Sequence, residues 1–304
     1  MASEPFVTVI IPTYKRAALV PKAIESVRRQ TYGNLEIVVV DDGSPDNTAE
    51  VVQAIPDSRI RYFRHARNKG LPAAARNTGI KAAKGELIAF LDDDDEWLED
   101  KLEKQVRKIE EYDAVLCMGM ANGFPTRVHT SPTVTLDDLR RGCFNPSGLL
   151  LKTSVIKDVM FDENLRQGED WDMFIRVGQR CRIGWMPEPL LLYNAGGHDR
   201  MSNEKKYLSG PELEVRTVML HKHREFFGEK WFAYHLAHSL LSFIGSRPDR
   251  WRGILYAVRR CGVIPVAKNI VDRIRKRLQR RLWTQRKNLG TAENRSRFSR
   301  SACN

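Results

Sequence analysis

The chain has 304 residues, 42% of them hydrophobic, and 50 Lys plus Arg against 38 Asp plus Glu give it a net charge of +12. That length suits one substantial α/β domain with an appendage, and the apolar runs are too short to span a bilayer, Leu236 to Ile244 being interrupted by His238 and Ser239. The five cysteines, Cys117, Cys143, Cys181, Cys261 and Cys303, are scattered and lack C-x-x-C spacing, which argues for reduced thiols and against a zinc site.

Met1-Ala2-Ser3-Glu4-Pro5 leads straight into an apolar run, so no signal peptide is expected. Phe6-Val7-Thr8-Val9-Ile10-Ile11 predicts a buried strand stopped by Pro12. Ala23, Ile24, Val27 and Tyr32 then recur at near-helical spacing. Leu35 to Val40 predicts a second buried strand, stopped by Asp41-Asp42-Gly43-Ser44, and Thr48 to Ile55 a helix. Ile60 to Phe63 is a weaker strand, Pro72 to Ala83 an Ala-rich helix, and Leu87 to Leu91 a further strand. A helix is expected to begin near Trp97. Strand alternating with helix predicts a doubly wound, mostly parallel sheet with flanking helices, whose ligands lie outside the carboxyl ends of the strands. Pro12-Thr13-Tyr14, Asp41-Asp42 and Asp92 to Asp95 all fall at such ends and are expected to share one crevice.

The run Asp92-Asp93-Asp94-Asp95 puts four carboxylates together, more than a helix cap needs. Like charges this close repel and raise one another's pKa, so a cation or many hydrogen-bond donors must neutralise them. A hard divalent ion such as Mg2+ or Mn2+, shared with a diphosphate, is the simplest answer. Neither G-x-G-x-x-G after the first strand nor G-x-x-x-x-G-K-[ST] is present, which disfavours a dinucleotide oxidoreductase or a P-loop enzyme. Metal and basic side chains are then left to hold the phosphates. Asp41 is placed to accept hydrogen bonds from a base or ribose, and Arg76 to face the phosphates or base from its helix.

Several segments together carry a resemblance. Val9-Ile10-Ile11-Pro12-Thr13-Tyr14-Lys15-Arg16, Val39-Val40-Asp41-Asp42-Gly43-Ser44, Asn68-Lys69-Gly70 with Ala75-Arg76-Asn77-Thr78-Gly79-Ile80, and Phe90-Leu91-Asp92-Asp93-Asp94-Asp95 resemble the successive signatures of glycosyltransferase family 2. Phe161-Asp162-Glu163 with Gly168-Glu169-Asp170-Trp171-Asp172 is similar to that family's acceptor-side motif. The resemblance implies a GT-A fold related to the Rossmann fold, a nucleoside-diphosphate-sugar donor, a divalent metal (Mn2+ or Mg2+) and inversion at the anomeric carbon. It also implies that Pro12, Thr13, Tyr14 and Arg16 line the nucleotide pocket, that Asp41 reads the base, usually uracil, and that Arg76 lies near that base or the diphosphate. The family's D-x-D falls on Asp92-Asp93-Asp94, with Asp94 and Asp92 on the metal and Asp93 on the ribose; Asp95 leaves this register open by one residue. Asp170 is implied as the catalytic base, and a helix N-terminus is expected to hold it ionised. His198, in the Gly-flanked loop 196–202, is a further metal or diphosphate ligand on the same resemblance.

Residues 247–304 carry 17 Lys plus Arg against 3 Asp plus Glu, so the rest of the chain is near neutral. Ile270, Ile274, Leu278 and Leu282, with Val271 and Trp283 beside them, form an apolar stripe among Arg273, Lys276, Arg277, Arg280 and Arg281, as in an interfacial helix. The expected organisation is a catalytic domain over 1–225, with a nucleotide-binding half (1–116) and an acceptor-side half (117–225), then a helical basic extension over 226–287 and a disordered tail over 288–304. The expected partners are a nucleotide sugar, a glycan or lipid-linked glycan acceptor and, through 265–287, an anionic membrane surface. That combination predicts a cytoplasmic enzyme held peripherally on the inner face of the cell membrane. No RNA- or DNA-binding module is recognisable, so nucleic acid is not expected as a partner. A nucleic-acid-binding protein acting through the basic tail, and an inactive scaffold of the same fold, are the competing classes.

Overall fold

A computed structural model describes residues 4–194, 214–215, 217–242, 244, 249–275 and 278. The chain divides into two compact units, Met1–Glu204 and Lys205–Asn304.

The first unit is built on one sheet. Its strands are β1 (Val7–Thr13), β2 (Leu35–Asp41), β3 (Ile60–Arg64), β4 (Leu87–Phe90), β5 (Glu96–Trp97), β6 (Ala114–Ala121), β7 (Phe124–Pro125), β8 (Thr133–Val134), β9 (Leu149–Lys152) and β10 (Ile183–Leu192). Along the order β3-β2-β1-β4-β9-β6-β10-β5 only β9 and β5 run against the others, while β7 and β8 attach to β6 and β10. The sheet is therefore mixed but mostly parallel, with helices flanking it. Every residue of β1 and β2 is buried, as the β-branched runs of a sheet covered on both faces require.

Pro12 does not stop β1. It stays in parallel register with Val40 of β2, whereas pairing with β4 ends at Ile10, so its missing N–H falls where β4 no longer runs alongside. The helix expected near Trp97 begins at Lys101 instead (Lys101–Lys108). Residues Glu96 and Trp97 pair antiparallel with Leu192 and Leu191, and the Trp97 indole donates to the Ser147 carbonyl, so this backbone belongs to the sheet. The flanking helices are α1 (Val20–Arg28), α2 (Thr48–Gln53), α3 (Pro72–Ala82), α4 (Lys101–Lys108), α5 (Leu136–Arg141), α6 (Thr153–Val159) and α7 (Glu169–Gly178). Helix α1 carries Pro21 in its first turn and buries Val20, Ala23, Ile24 and Val27. Helix α3 (Pro72–Ala82), opened by Pro72, lies against β1 closely enough that a Cβ on Gly79 would come 2.5 Å from Cγ2 of Ile10.

The second unit is helical: Val218–Lys222, Arg224–Leu240 broken at Gly228 (φ 65), Arg250–Cys261, and 263–275 after Gly262 (φ 84). Leu236, Leu240, Leu241, Ala257 and Val266 are buried in it. Asn269 is buried too: its Nδ2 donates to the carbonyls of Tyr234 (2.8 Å) and Pro265 (3.1 Å), and its Oδ1 lies 3.0 Å from Nδ1 of His238. No described helix is long and apolar enough to cross a membrane. Cys117, Cys143, Cys181 and Cys261 are free thiols.

Candidate active site

The carboxyl ends of β1 and β2 lie side by side, Thr13 in register with Asp41, and the Asp42 amide donates to the Thr13 carbonyl at 2.9 Å. Asp41 is fully buried; one carboxylate oxygen accepts from the Ser44 amide (2.8 Å) and the other from the Tyr62 hydroxyl (2.6 Å). The neighbouring Asp42 accepts from the amides of Lys69 and Gly70 and lies 2.6 Å from Nδ1 of His65, whose Nε2 meets the Thr78 hydroxyl at 2.9 Å. These contacts fold residues 65–70 onto the strand end. Gly43 is required there: its φ is 77°, and a Cβ would come 2.9 Å from the Arg67–Asn68 backbone. On the β1 side Pro12 and Thr13 are buried, Tyr14 and Arg16 half-buried, and the Lys15 amide (φ 55) donates to the Ser44 hydroxyl at 2.9 Å.

The acidic run folds into a tight turn, with the Asp95 amide on the Asp92 carbonyl at 3.0 Å and the Asp92 amide on the Ser147 hydroxyl at 3.1 Å. Its four carboxylates are not equivalent. Asp95 is fully buried and accepts from the Ser147 hydroxyl (2.9 Å), Asn145 Nδ2 (3.3 Å) and the Asn194 amide (3.2 Å). It ties the turn to two other segments, while Asp92, Asp93 and Asp94 are half-buried. Burial and the adjacent carboxylates push Asp93 up to about 7, and Arg16 lies beside it, with Nε at 3.8 Å.

Arg76 joins the two halves of the site. Side-chain exposure is 3%; Nη2 donates to Asp92 (2.7 Å), Nη1 to Asp170 (2.8 Å), and Nη1 also lies 3.8 Å from Glu169. Burial opposes the guanidinium charge, but Asp170, Asp92 and Glu169 more than offset it. The next residue, Asn77, fixes the segment Phe161-Asp162-Glu163. It exchanges hydrogen bonds with the Phe161 backbone (2.8 and 2.9 Å) and donates to Glu163 (2.8 Å), while the Arg76 guanidinium lies 5.2 Å from the Phe161 ring centroid. The segments around residues 76, 92, 161 and 170 therefore meet through side chains of α3.

Asp170 stands in the first turn of α7 (Glu169–Gly178), entered through left-handed Gly168 (φ 82). Its ionisation corrects the expectation from the helix terminus. Burial pushes this carboxyl above the usual range; Arg76 opposes the rise, and Glu169 and Asp92 add to it. Among the described residues no donor reaches its Oδ2, the oxygen turned away from the Arg76 bond.

Asp92, Asp93 and Asp94 are hard oxygen donors on one half-buried turn. Among the described residues no three His, Cys, Asp or Glu side chains converge to enclose an ion. The donor set fits a hard cation that keeps positions for phosphate oxygens, and not a closed protein cage. His198 lies outside the described residues. Sequence reasoning did not single out His65, Asn145 or Ser147. A His shortly before Asn68-Lys69-Gly70 was the available sign of the first, whereas nothing local marks the other two.

The model of the family described as "Glycosyl transferase family 2" matches residues 8–161. An uncharacterized glycosyltransferase of Rickettsia felis is 35% identical over 226 residues; the match takes in 67% of this chain but 35% of that relative, so the chain spans about a third of its length. The putative colanic acid biosynthesis glycosyl transferase WcaA of Escherichia coli K12 is 30% identical over 231 residues, 68% of this chain and 79% of that protein. WfgD of Escherichia coli, a UDP-Glc:alpha-D-GlcNAc-diphosphoundecaprenol beta-1,3-glucosyltransferase, is 46% identical over 100 residues, 33% of this chain and 39% of that one. Among solved structures, S. aureus TarS 1-349 in complex with UDP-GlcNAc aligns with a TM-score of 0.62 at 22% identity, covering 86% of this chain and 89% of that one. The mannosyltransferase PcManGT from Pyrobaculum calidifontis, in complex with GDP-Man and Mn2+, aligns at 0.57 and 20% identity over 93% of this chain and 84% of that one. With the sheet order, the acidic turn at the end of β4 and a family match across the chain's first half, the protein belongs to glycosyltransferase family 2.

Proposed function

We propose that this protein transfers a hexosyl group from a nucleoside-diphosphate-sugar, a UDP-sugar in the first instance, to an acceptor hydroxyl with inversion at the anomeric carbon. The observation that carries the proposal is the Arg76 bridge, which brings the acidic turn and Asp170 within reach of one guanidinium. Pro12, Thr13, Tyr14, Arg16 and Asp41 form the nucleotide side, with Asp93 toward the ribose. Asp94 and Asp92 are the residues to hold Mg2+ or Mn2+, with His198 as a further ligand; the bound ion would neutralise charge on the departing diphosphate. Asp170 takes the acceptor hydroxyl's proton on Oδ2. The new C1–O bond forms as the C1–phosphate oxygen bond breaks, and this single displacement inverts the centre without a covalent sugar intermediate. Arg76 holds Asp170 by Oδ1 and leaves the other oxygen turned to the acceptor.

For the acceptor we propose a lipid-linked glycan in surface polysaccharide assembly, the reading favoured by the names of WfgD and WcaA. The protein would then work in the cytoplasm, peripherally on the inner face of the membrane, drawn there by its basic second unit. The test is a donor panel: UDP- and GDP-sugars are incubated with the full chain and Mn2+ or Mg2+, and nucleoside diphosphate release is followed with and without chelator. Release from one donor class, abolished by chelator, supports the proposal; full turnover in excess chelator after dialysis rejects the metal, and no release from any donor favours an inactive scaffold.

A further inference from the structure

The helix over 263–275 is amphipathic in the reverse of the usual sense. Its packed side presents Val266, Asn269 and Arg273: Asn269 is bonded to the backbone of Tyr234, and Arg273 donates to the His238 carbonyl at 2.8 Å. Ile264, Val271, Ile274 and Leu278, spaced by whole helical turns on the opposite side, are 53% to 82% exposed. The preceding helix repeats the arrangement. Gly253 and Ala257 are buried, while Trp251 and Leu255, one turn apart on the other side, are 69% and 58% exposed. Val263 at the junction is exposed as well. The exposed row differs from the stripe expected in the sequence: Ile264 joins it, Ile270 is turned partly inward, and Leu282 and Trp283 lie outside the described residues.

Large apolar side chains this exposed call for a covering partner. The charge around them says which. Residues 250–278 contain nine Lys or Arg and one acidic residue, Asp272, which accepts a hydrogen bond from the Tyr234 hydroxyl. A second copy of this chain would bring an equally basic face against the first, whereas an anionic lipid surface meets both the charge and the apolar rows.

We infer that Trp251, Leu255, Val263, Ile264, Val271 and Ile274 form an insertion face that enters the acyl region of an anionic bilayer, with Arg252, Arg259 and Arg275 at headgroup level. The inference deepens the membrane reading above and rests on it: attraction by charge alone leaves these side chains in water, and insertion does not. It also separates two contributions. Charge sets the preference for anionic lipid and weakens with salt, whereas apolar burial is insensitive to salt.

The test uses the full chain and vesicles of phosphatidylcholine, with or without phosphatidylglycerol, at low and high salt, with brominated acyl chains as a depth-sensitive quencher of Trp251. The full chain should bind anionic vesicles, keep part of that binding at high salt, and show quenching that Trp251→Phe reduces. Ile264→Ser/Val271→Ser/Ile274→Ser should lower partitioning at least about tenfold with unchanged circular dichroism. Arg252→Gln/Arg259→Gln/Arg275→Gln should weaken the anionic preference and keep the quenching of the bound protein. If the Ser variant partitions like the parent, or brominated chains do not quench Trp251 in the bound protein, insertion is overturned while surface attraction stands. If no form binds any vesicle, the membrane reading falls with it. If light scattering gives a dimer that the Ser variant dissolves, the face belongs to a second copy and the inference is wrong.

Discussion

Arg76 in the first unit and Asn269 in the second are both buried polar side chains that join separate segments, and their surroundings differ in kind. Arg76 is one cation facing three carboxylates, Asp92, Glu169 and Asp170. Asn269 is neutral and bonded at both ends of its amide, so its neighbourhood is electrically closed, and the unusual chemistry lies on the outer face of its helix. Buried polar groups therefore carry different messages. A cluster of carboxylates outnumbering its cation is suited to binding a further cation, whereas a satisfied amide points only to packing.

The sharpest way to break this contrast is at Asp170. Asp170→Asn keeps size and hydrogen bonding to Arg76 but cannot accept a proton, so sugar transfer should fall by about two to four orders of magnitude with nucleotide affinity unchanged. Steady-state kinetics beside calorimetry checks this, and weakened nucleotide binding with transfer intact would move Asp170 into the nucleotide pocket. Arg76→Leu comes next. It leaves Asp92 and Asp170 half-buried without their cation and should cost about 3–5 kcal/mol in urea unfolding. Asn269→Ala, which leaves only neutral partners unpaired, should cost a smaller ~1–3 kcal/mol; equal losses would show that charge is not what distinguishes the two sites.

Gly79→Ala probes the platform beneath the cluster. The added Cβ meets a branched Ile10 side chain fixed between β1 and α3, so a loss of about 1–3 kcal/mol is expected, and an unchanged melting temperature would mean that Ile10 can turn away. The smallest effect is the pH dependence at Asp95. Burial and the carboxylates of Asp92 and Asp94 raise it to about 7 in the folded protein, so the native state holds the proton more tightly than the unfolded chain. Its stabilising contribution is complete below the ordinary carboxylate pKa and is lost as pH rises through about 7. Unfolding free energy should therefore drop by about 1–2 kcal/mol on account of Asp95 between about pH 5.5 and about pH 8 without added metal, and Asp95→Asn should lessen that slope, leaving the share due to Asp93.

The parallel half of the sheet was legible because β1, β2 and β4 are short, wholly buried runs ended by turn chemistry. Pro12 misled for a definable reason: proline is excluded from a strand paired on both sides, and β1 at Pro12 is paired on only one. The other half was harder to read. Leu149–Lys152 is four residues without alternation, and Glu96–Trp97 becomes a strand only because β10 lies beside it. In the candidate site, the motifs singled out Asp170, Arg76 and the acidic turn, but not how they combine. Arg76 pairs with residues 16 and 94 positions away, and Asp95 looked equivalent to Asp94 until Ser147 and Asn194 claimed it. Long-range pairing of this kind leaves no local periodicity to read.

The central claim is that the acidic turn is the diphosphate end of the site and α7 the acceptor end. Calorimetric titration of UDP with Mn2+ into the full chain, Asp94→Asn and Asp170→Asn tests it directly. The account predicts saturable binding to the full chain and to Asp170→Asn, lost in Asp94→Asn and lost from every form when the metal is chelated. Binding to Asp94→Asn as tight as to the full chain, or binding abolished by Asp170→Asn alone, would contradict it.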